Sequence, residues 1–293
     1  VFQLLTLSVR QTRFQGTIVR ARFFLFTLLL LLAPPAARAQ TPNVLTIEVA
    51  DYAFLRLPPT VPEGLTTIRL VNKGTTLHHM QLNRLEGGKT IADMLRDFVP
   101  GAPLPAYMSG SGGPSAAWAG QTIEATLLLK PGTYGVICWV PAADHKLHVQ
   151  KGMMGQLVVT PATGQRKTPV LPAADFTVTA FDYNYTIDKP ITTGRRTIRF
   201  VNRGPQNHEF VIVKLAQGKT VQDAQAWAER GQTGESPGTM LSGVSAIAPG
   251  QAVNVTNVFA AGEYAILCFV PDGKDKKGLP HVHYGMMKQI SVR

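Results

Sequence analysis

Apolar and polar residues alternate in short stretches along most of this chain, the period-two signature of strands with one face in a core. Val44 to Ala50 and Phe176 to Ala180 show it, as do Thr67 to Asn72 and Thr197 to Asn202, which both end at a Gly-containing turn. Phe210-Val-Ile-Val213 is unbroken apolar and predicts a central strand covered on both faces. Further strands are expected at Gln121 to Leu129, Gly155 to Val159, Ala252 to Phe259 and Gln289 to Val292. Two segments break the pattern. Thr90 to Phe98 and Thr220 to Arg230 open with Thr-x-x-Asp, a capping-box variant, and predict one short helix each.

The pattern occurs twice. Thr67-Ile-Arg-Leu-Val-Asn-Lys-Gly74 recurs as Thr197-Ile-Arg-Phe-Val-Asn-Arg-Gly204, 130 residues on. Gly88-Lys-Thr90 and Gly218-Lys-Thr220 keep that offset, as do Cys138 and Cys268. His148-Val-x-x-Gly-Met153 recurs as His281-Val-x-x-Gly-Met286 at 133, so the second copy carries three extra residues between Cys and His. Asp51-Tyr52 and Asp182-Tyr183 are 131 apart. A period this long is a duplicated domain rather than a solenoid repeat. The organisation expected is an all-β chain of two tandem Greek-key sandwiches, at 40–160 and 175–293, with a Pro-containing linker at 161–174.

Composition narrows the class. The 27 Gly and 21 Pro against 16% charged residues suit strands and turns, and two Cys are too few for a disulfide framework. Residues 1–39 read as a signal peptide: Arg20 and Arg22, then an apolar run from Phe23 to Leu32, then Pro34-Pro35 and Ala37-Arg38-Ala39, with cleavage expected after Ala39. The run is short for a bilayer span, and export to the periplasm or medium is expected. The formal charge is +11, and removing the five Arg of 1–39 leaves +6. Such a surface suits acidic partners or an anionic membrane surface, or serves solubility alone. No Lys/Arg cluster interleaved with aromatics suggests nucleic acid.

Aligning the copies selects the metal-binding side chains. The first gives His78, Cys138, His148 and Met153; the second gives His208, Cys268, His281 and Met286. One thiolate, two imidazoles and a thioether form the donor set of a mononuclear blue-copper centre, whereas zinc prefers more thiolates or no thioether. Adjacent residues on a strand face opposite ways, so only one of His78 and His79 can face a site, and the repeat selects His78 because Glu209 stands opposite His79. His145 and His283 have no counterpart and read as exposed loop residues, with a substitute ligand as the alternative for either. Trp139 and Phe269 beside the cysteines, and Met154 and Met287, read as packing residues. The cysteines have a bland alternative as inert or mutually paired thiols.

Each copy resembles the plastocyanin/azurin group of cupredoxins. The shared features are an Asn-x-Gly turn before the first His, a Gly-x-Tyr strand ending in Cys, and then His-x4-Met; His148 to Gly155 is also similar to the matching loop of copper nitrite reductases. The resemblance covers the chain after residue 39. It implies a type 1 copper held by the eight residues named above, up to two coppers per chain, and electron transfer with a redox partner protein. Two departures stand out. The Cys-to-His gap is nine residues in one copy and twelve in the other, and His79 or Glu209 follows the first His where the family often has an Asn that ties the ligand loops together.

Copper sequestration or delivery, with a copper donor or acceptor as partner, would use the same ligands. A two-domain copper oxidase or nitrite reductase would need a second centre built from extra histidines, commonly one beside the Cys. Here Cys138 is flanked by Ile137 and Trp139, and Cys268 by Leu267 and Phe269. An electron carrier is therefore expected over an enzyme.

Overall fold

A computed structural model describes residues 41–99, 104–115, 117–163, 169–232 and 234–293. The expected leader and the middle of the expected linker lie outside them. Among the described residues no helix is long and apolar enough to cross a membrane.

In the first copy the strands are β1 (Asn43–Ala50), β2 (Ala53–Phe54), β3 (Thr60–Pro62), β4 (Gly64–Asn72) and β5 (Gln81–Leu85), followed by helix α1 (Ile91–Asp97). Then come β6 (Met108–Gly110), β7 (Thr122–Leu129), β8 (Gly132–Ile137) and β9 (Met154–Thr160). The second copy repeats the plan with β10 (Phe176–Phe181), β11 (Asn184–Ile187), β12 (Gly194–Asn202), β13 (His208–Leu215), helix α2 (Val221–Glu229), β14 (Gly238–Ile247), β15 (Ala252–Phe259), β16 (Gly262–Leu267) and β17 (Met287–Val292). Both copies are thus β-sandwiches with one short helix each, as the alternation predicts.

The sheets reach beyond one copy. β7 pairs antiparallel with β15 through Ala125–Val255 and Thr126–Asn254. That pairing fuses one sheet from each copy into a single eight-stranded sheet ordered β11-β10-β12-β15-β7-β4-β1-β2. The facing sheets stay separate, as β3-β9-β8-β5-β6 and β14-β13-β16-β17. The segment after β6 runs along β14, with Ser111 bridging Ile247 and Pro114 bridging Val244. Copy one thereby covers backbone that would otherwise template pairing with another chain.

β13 lies between β14 and β16, and both of its faces are covered. Phe210 and Ile212 enter the main core, while Val211 and Val213 pack with Trp227 and Ala224 of α2. The Phe200 and Phe210 rings stack with centroids 5.5 Å apart, and aromatic pairs of this kind add about 0.5–1.5 kcal/mol beyond the area they bury. Both helices carry full capping boxes: the Thr90 and Thr220 hydroxyls accept from the Asp93 and Asp223 N–H groups, and those carboxylates accept from the Thr backbone N–H. The helices are also pinned to the last strand of each copy, since Ile91 N–H donates to Gln156 and Val221 N–H to Gln289. A Cβ on Gly135 would sit 2.9 Å from Met94 Sδ, so α1 approaches β8 as closely as it does only because that position lacks a side chain.

β14 is absent from the period-two reading. Its sequence, Gly-Thr-Met-Leu-Ser-Gly-Val-Ser-Ala-Ile, is poor in β-formers. Its register against β13 slips at two places, and Gly243 lies too close to the Phe210 carbonyl to bear a Cβ. Backbone proximity, rather than strand propensity, makes this strand.

Candidate metal centres

The Asn-x-Gly turn builds each site from below. Asn72 donates through Nδ2 to the carbonyls of Thr76 and Ala117, and its Oδ1 accepts from Gly74 N–H. Asn202 does the same with Gln206, Ile247 and Gly204. Each turn delivers the next His into the core: His78 and His208 are both fully buried. His208 opens β13, whereas His78 sits in an isolated bridge to Ala117 just before β5.

The cysteines follow the last residue of β8 and β16. Their backbone N–H groups donate to Met153 O and Met286 O, and the 3₁₀ turns His148–Lys151 and His281–Tyr284 close the loops behind them. In copy one His78 Nδ1 and His148 Nδ1 lie 3.1 Å apart, and His148 Nδ1 lies 3.5 Å from Cys138 Sγ. Copy two repeats this at 3.1 Å between His208 and His281 and 3.4 Å from His281 to Cys268. The three donor atoms of each site fall within 4.8 Å of one another, and all three side chains are buried. The three extra residues of the second loop leave this geometry unchanged.

The donor chemistry fits an ion. Two imidazole nitrogens and one sulfur at these spacings are what donors show when they share one centre at bond lengths of about 2.0–2.3 Å. Both cysteines are free, so the alternative of mutual pairing is not realised. Met153 and Met286 are fully buried in the same apolar cluster as Cys138 and Cys268.

A carboxylate that sequence reasoning left without a role orients the first His. His78 Nε2 lies 3.1 Å from Asp51 Oδ1, and His208 Nε2 lies 2.7 Å from Asp182 Oδ1. The acceptor takes the Nε2 proton, which leaves the Nδ1 lone pair facing the other donors. Hydrogen bonds from Thr75, then from His78 and Thr76, hold the Asp51 carboxyl well below the usual range despite some burial. Burial alone would raise Asp182, but Lys274, Gln206 and His208 together hold it low. Gly204 makes room for the pair: a Cβ there would stand 2.5 Å from His208 Nε2 and 2.8 Å from Asp182 Oδ1. The recurrence of Asp51-Tyr52 as Asp182-Tyr183, 131 residues on, was the signal for these residues.

Burial sets the protonation states. It pushes His148 and His281 down to about 4, helped by His78 and His208, so their rings are neutral. It pushes the Cys138 thiol up to about 12 and Cys268 higher still. A metal entering either site displaces a thiol proton.

The residue after the first His fills the place where the cupredoxin pattern has Asn. His79, between the bridge at His78 and the start of β5, and Glu209, on β13, fill it. Their backbone N–H groups approach Cys138 Sγ and Cys268 Sγ at 3.5 Å, and their side chains accept from Trp139 N–H and Phe269 N–H. The extra residues of the second loop form their own network: Asp272 accepts from the Tyr183 hydroxyl and from Gln206, and Lys274 pairs with Asp182 at 2.7 Å. His145 and His283 are exposed. Met154 and Met287 are half-buried, packed against the apolar clusters at the two helices.

No protein-family model matches the chain, and no curated protein matches it. Among solved structures, auracyanin from Roseiflexus castenholzii is 23% identical, covers 42% of this chain and 100% of its own, and gives a TM-score of 0.30. Auracyanin A, a "blue" copper protein from Chloroflexus aurantiacus, is 27% identical over 40% of this chain and 100% of its own, at 0.28. Copper nitrite reductase from Nitrosomonas europaea is 15% identical over 86% of this chain and 94% of its own, at 0.25. These TM-scores are low and carry no weight for function; the side chains of the two sites carry it.

Proposed function

We propose that this is an exported copper protein with one type 1 copper centre in each copy, and that it carries electrons to or from a partner protein. The observation that supports this most is the duplication of the donor geometry. Two imidazole nitrogens and a cysteine sulfur converge in the core of both copies, with a buried Met in the same cluster each time. Copper bound there would supply a one-electron couple. His78, Cys138, His148 and Met153 would hold one ion, and His208, Cys268, His281 and Met286 the other. The chain's own part is to keep that set rigid and dry. The Asp51–His78 and Asp182–His208 pairs fix the rings, and β-sandwich packing excludes water, so a change of oxidation state demands little movement.

The histidine supply supports a carrier over a copper oxidase or nitrite reductase. Of the seven His, four are the donors proposed for the two centres; His79 is tied to Trp139 N–H, His145 lies exposed in a loop of copy one, and His283 lies exposed in the 3₁₀ turn of copy two. The test is to add Cu(II) to the purified chain and record visible absorption and EPR. An intense thiolate-to-copper band supports the proposal, and tight copper without that band would favour sequestration or delivery. A second, spectroscopically distinct copper with oxygen or nitrite turnover would replace the carrier with an enzyme.

A further inference from the structure

The longer loop of copy two holds a carboxylate at the back of the second centre. Asp272 Oδ2 lies 3.6 Å from His281 Nε2. That is beyond hydrogen-bond reach, and this buried ring nitrogen has no hydrogen-bond partner. Other groups fix the carboxylate in place. Its Oδ1 accepts from the Lys274 and Asp275 backbone N–H groups at 2.7 and 2.8 Å. Its Oδ2 accepts from the Tyr183 hydroxyl and, at 3.0 Å, from Gln206 Nε2. All four partners donate to it, the surroundings of a fixed negative charge.

Copy one has no such neighbour for His148. The residue 130 positions before Asp272 is Ala142. The one carboxylate in its loop, Asp144, is exposed and pairs with Lys151 at 2.7 Å. The carboxylates behind the first histidines differ in the same sense. The Asp51 side chain is 33% exposed, against 10% for Asp182 and 2% for Asp272. Lys274 pairs with Asp182, but its side chain is 60% exposed, so water screens it more than the two carboxylates. The second centre thus stands against two buried carboxylates, the first against one near the surface. A centre that gains an electron loses a positive charge, so buried negative charge beside it favours the oxidised form.

We propose that Asp272, acting through His281, holds the second centre at a lower reduction potential than the first, so that a single electron on the chain resides in copy one. This rests on the copper reading above. At equilibrium copy one is reduced as copy two is oxidised; one electron moves, and no bond or proton changes.

The test is a potentiometric titration of two copper-loaded chains, followed at the thiolate-to-copper band. Cys138→Ser keeps the second centre and Cys268→Ser keeps the first. The lower potential is expected in Cys138→Ser. Asp272→Asn, added to Cys138→Ser, removes the charge at nearly constant size. It raises the ratio of Cu(I) to Cu(II) affinity about tenfold, read as a rise of about 59 mV for one electron. Equal potentials in the two chains, the reverse order, or a potential that Asp272→Asn leaves unmoved overturns the proposal and leaves the copper reading standing. Absence of the band from either chain overturns the copper reading for that copy, and the proposal with it. The comparison of the two single-centre chains decides the matter even where Asp272→Asn fails to fold.

Discussion

The imidazole Nε2 of His79 accepts a hydrogen bond from the backbone N–H of Trp139 at 3.0 Å. In the second copy Glu209 Oε1 accepts from Phe269 N–H at 2.6 Å. An imidazole and a carboxyl share little chemistry except one acceptor at the right reach. Each holds the strand end that carries the Cys, while its own backbone N–H lies beside the sulfur. Leu at Glu209 would strand a buried N–H and is expected to cost about 1–3 kcal/mol, whereas Gln keeps an acceptor oxygen. Urea denaturation of Glu209→Leu and Glu209→Gln checks this; equal stability of the two variants would show that the hydrogen bond carries no weight.

The Asp51–His78 and Asp182–His208 pairs should show in metal affinity rather than in fold stability. Asp51→Ala and Asp182→Ala each remove the group that orients one imidazole, and copper affinity at that site should fall about 10–100-fold. Competition with a chelator of known affinity measures it, one site at a time, in chains whose other Cys is replaced by Ser. Unchanged affinity would mean that packing alone holds the ring.

The capping boxes give a prediction that needs no metal. Thr220→Ala should cost about 0.5–2 kcal/mol by removing the acceptor for Asp223 N–H. Asp93 is held down to about 2 by the Thr90 backbone N–H, then by Arg96 and the Thr90 hydroxyl, and Asp223 is lowered by its own cap contacts. Folded values below the unfolded ones mean that this stabilisation is full above the ordinary Asp range and is lost as pH falls through the depressed values. Thermal melts from neutral pH down to about pH 2 should therefore fall less steeply in an Asp93→Asn/Asp223→Asn chain than in the parent.

Much of this was legible in the residues. The two capping boxes and the doubly covered β13 follow from local period, because each depends on neighbours a few positions away, and the choice of His78 over His79 follows from the repeat. The eight-stranded sheet was not legible. β7 and β15 meet through backbone groups, and the residues paired there, Ala125 with Val255 and Thr126 with Asn254, advertise no partner. The roles of Asp51 and Asp182 were half visible: the repeat marked them, but only the folded chain brings each to the back of a histidine more than twenty residues away. His79 and Glu209 looked like a departure from the cupredoxin pattern because the identities differ, yet the geometry asks only for an acceptor.

The central claim is that both copies hold copper through their Cys. Copper titration of the unaltered chain, Cys138→Ser, Cys268→Ser and the double variant, followed by the thiolate-to-copper absorption band and by bound metal, tests it most directly. Two coppers per chain, one in each single variant and no band in the double variant is the predicted result. A parent chain without the band, or a band that survives both substitutions, would contradict it.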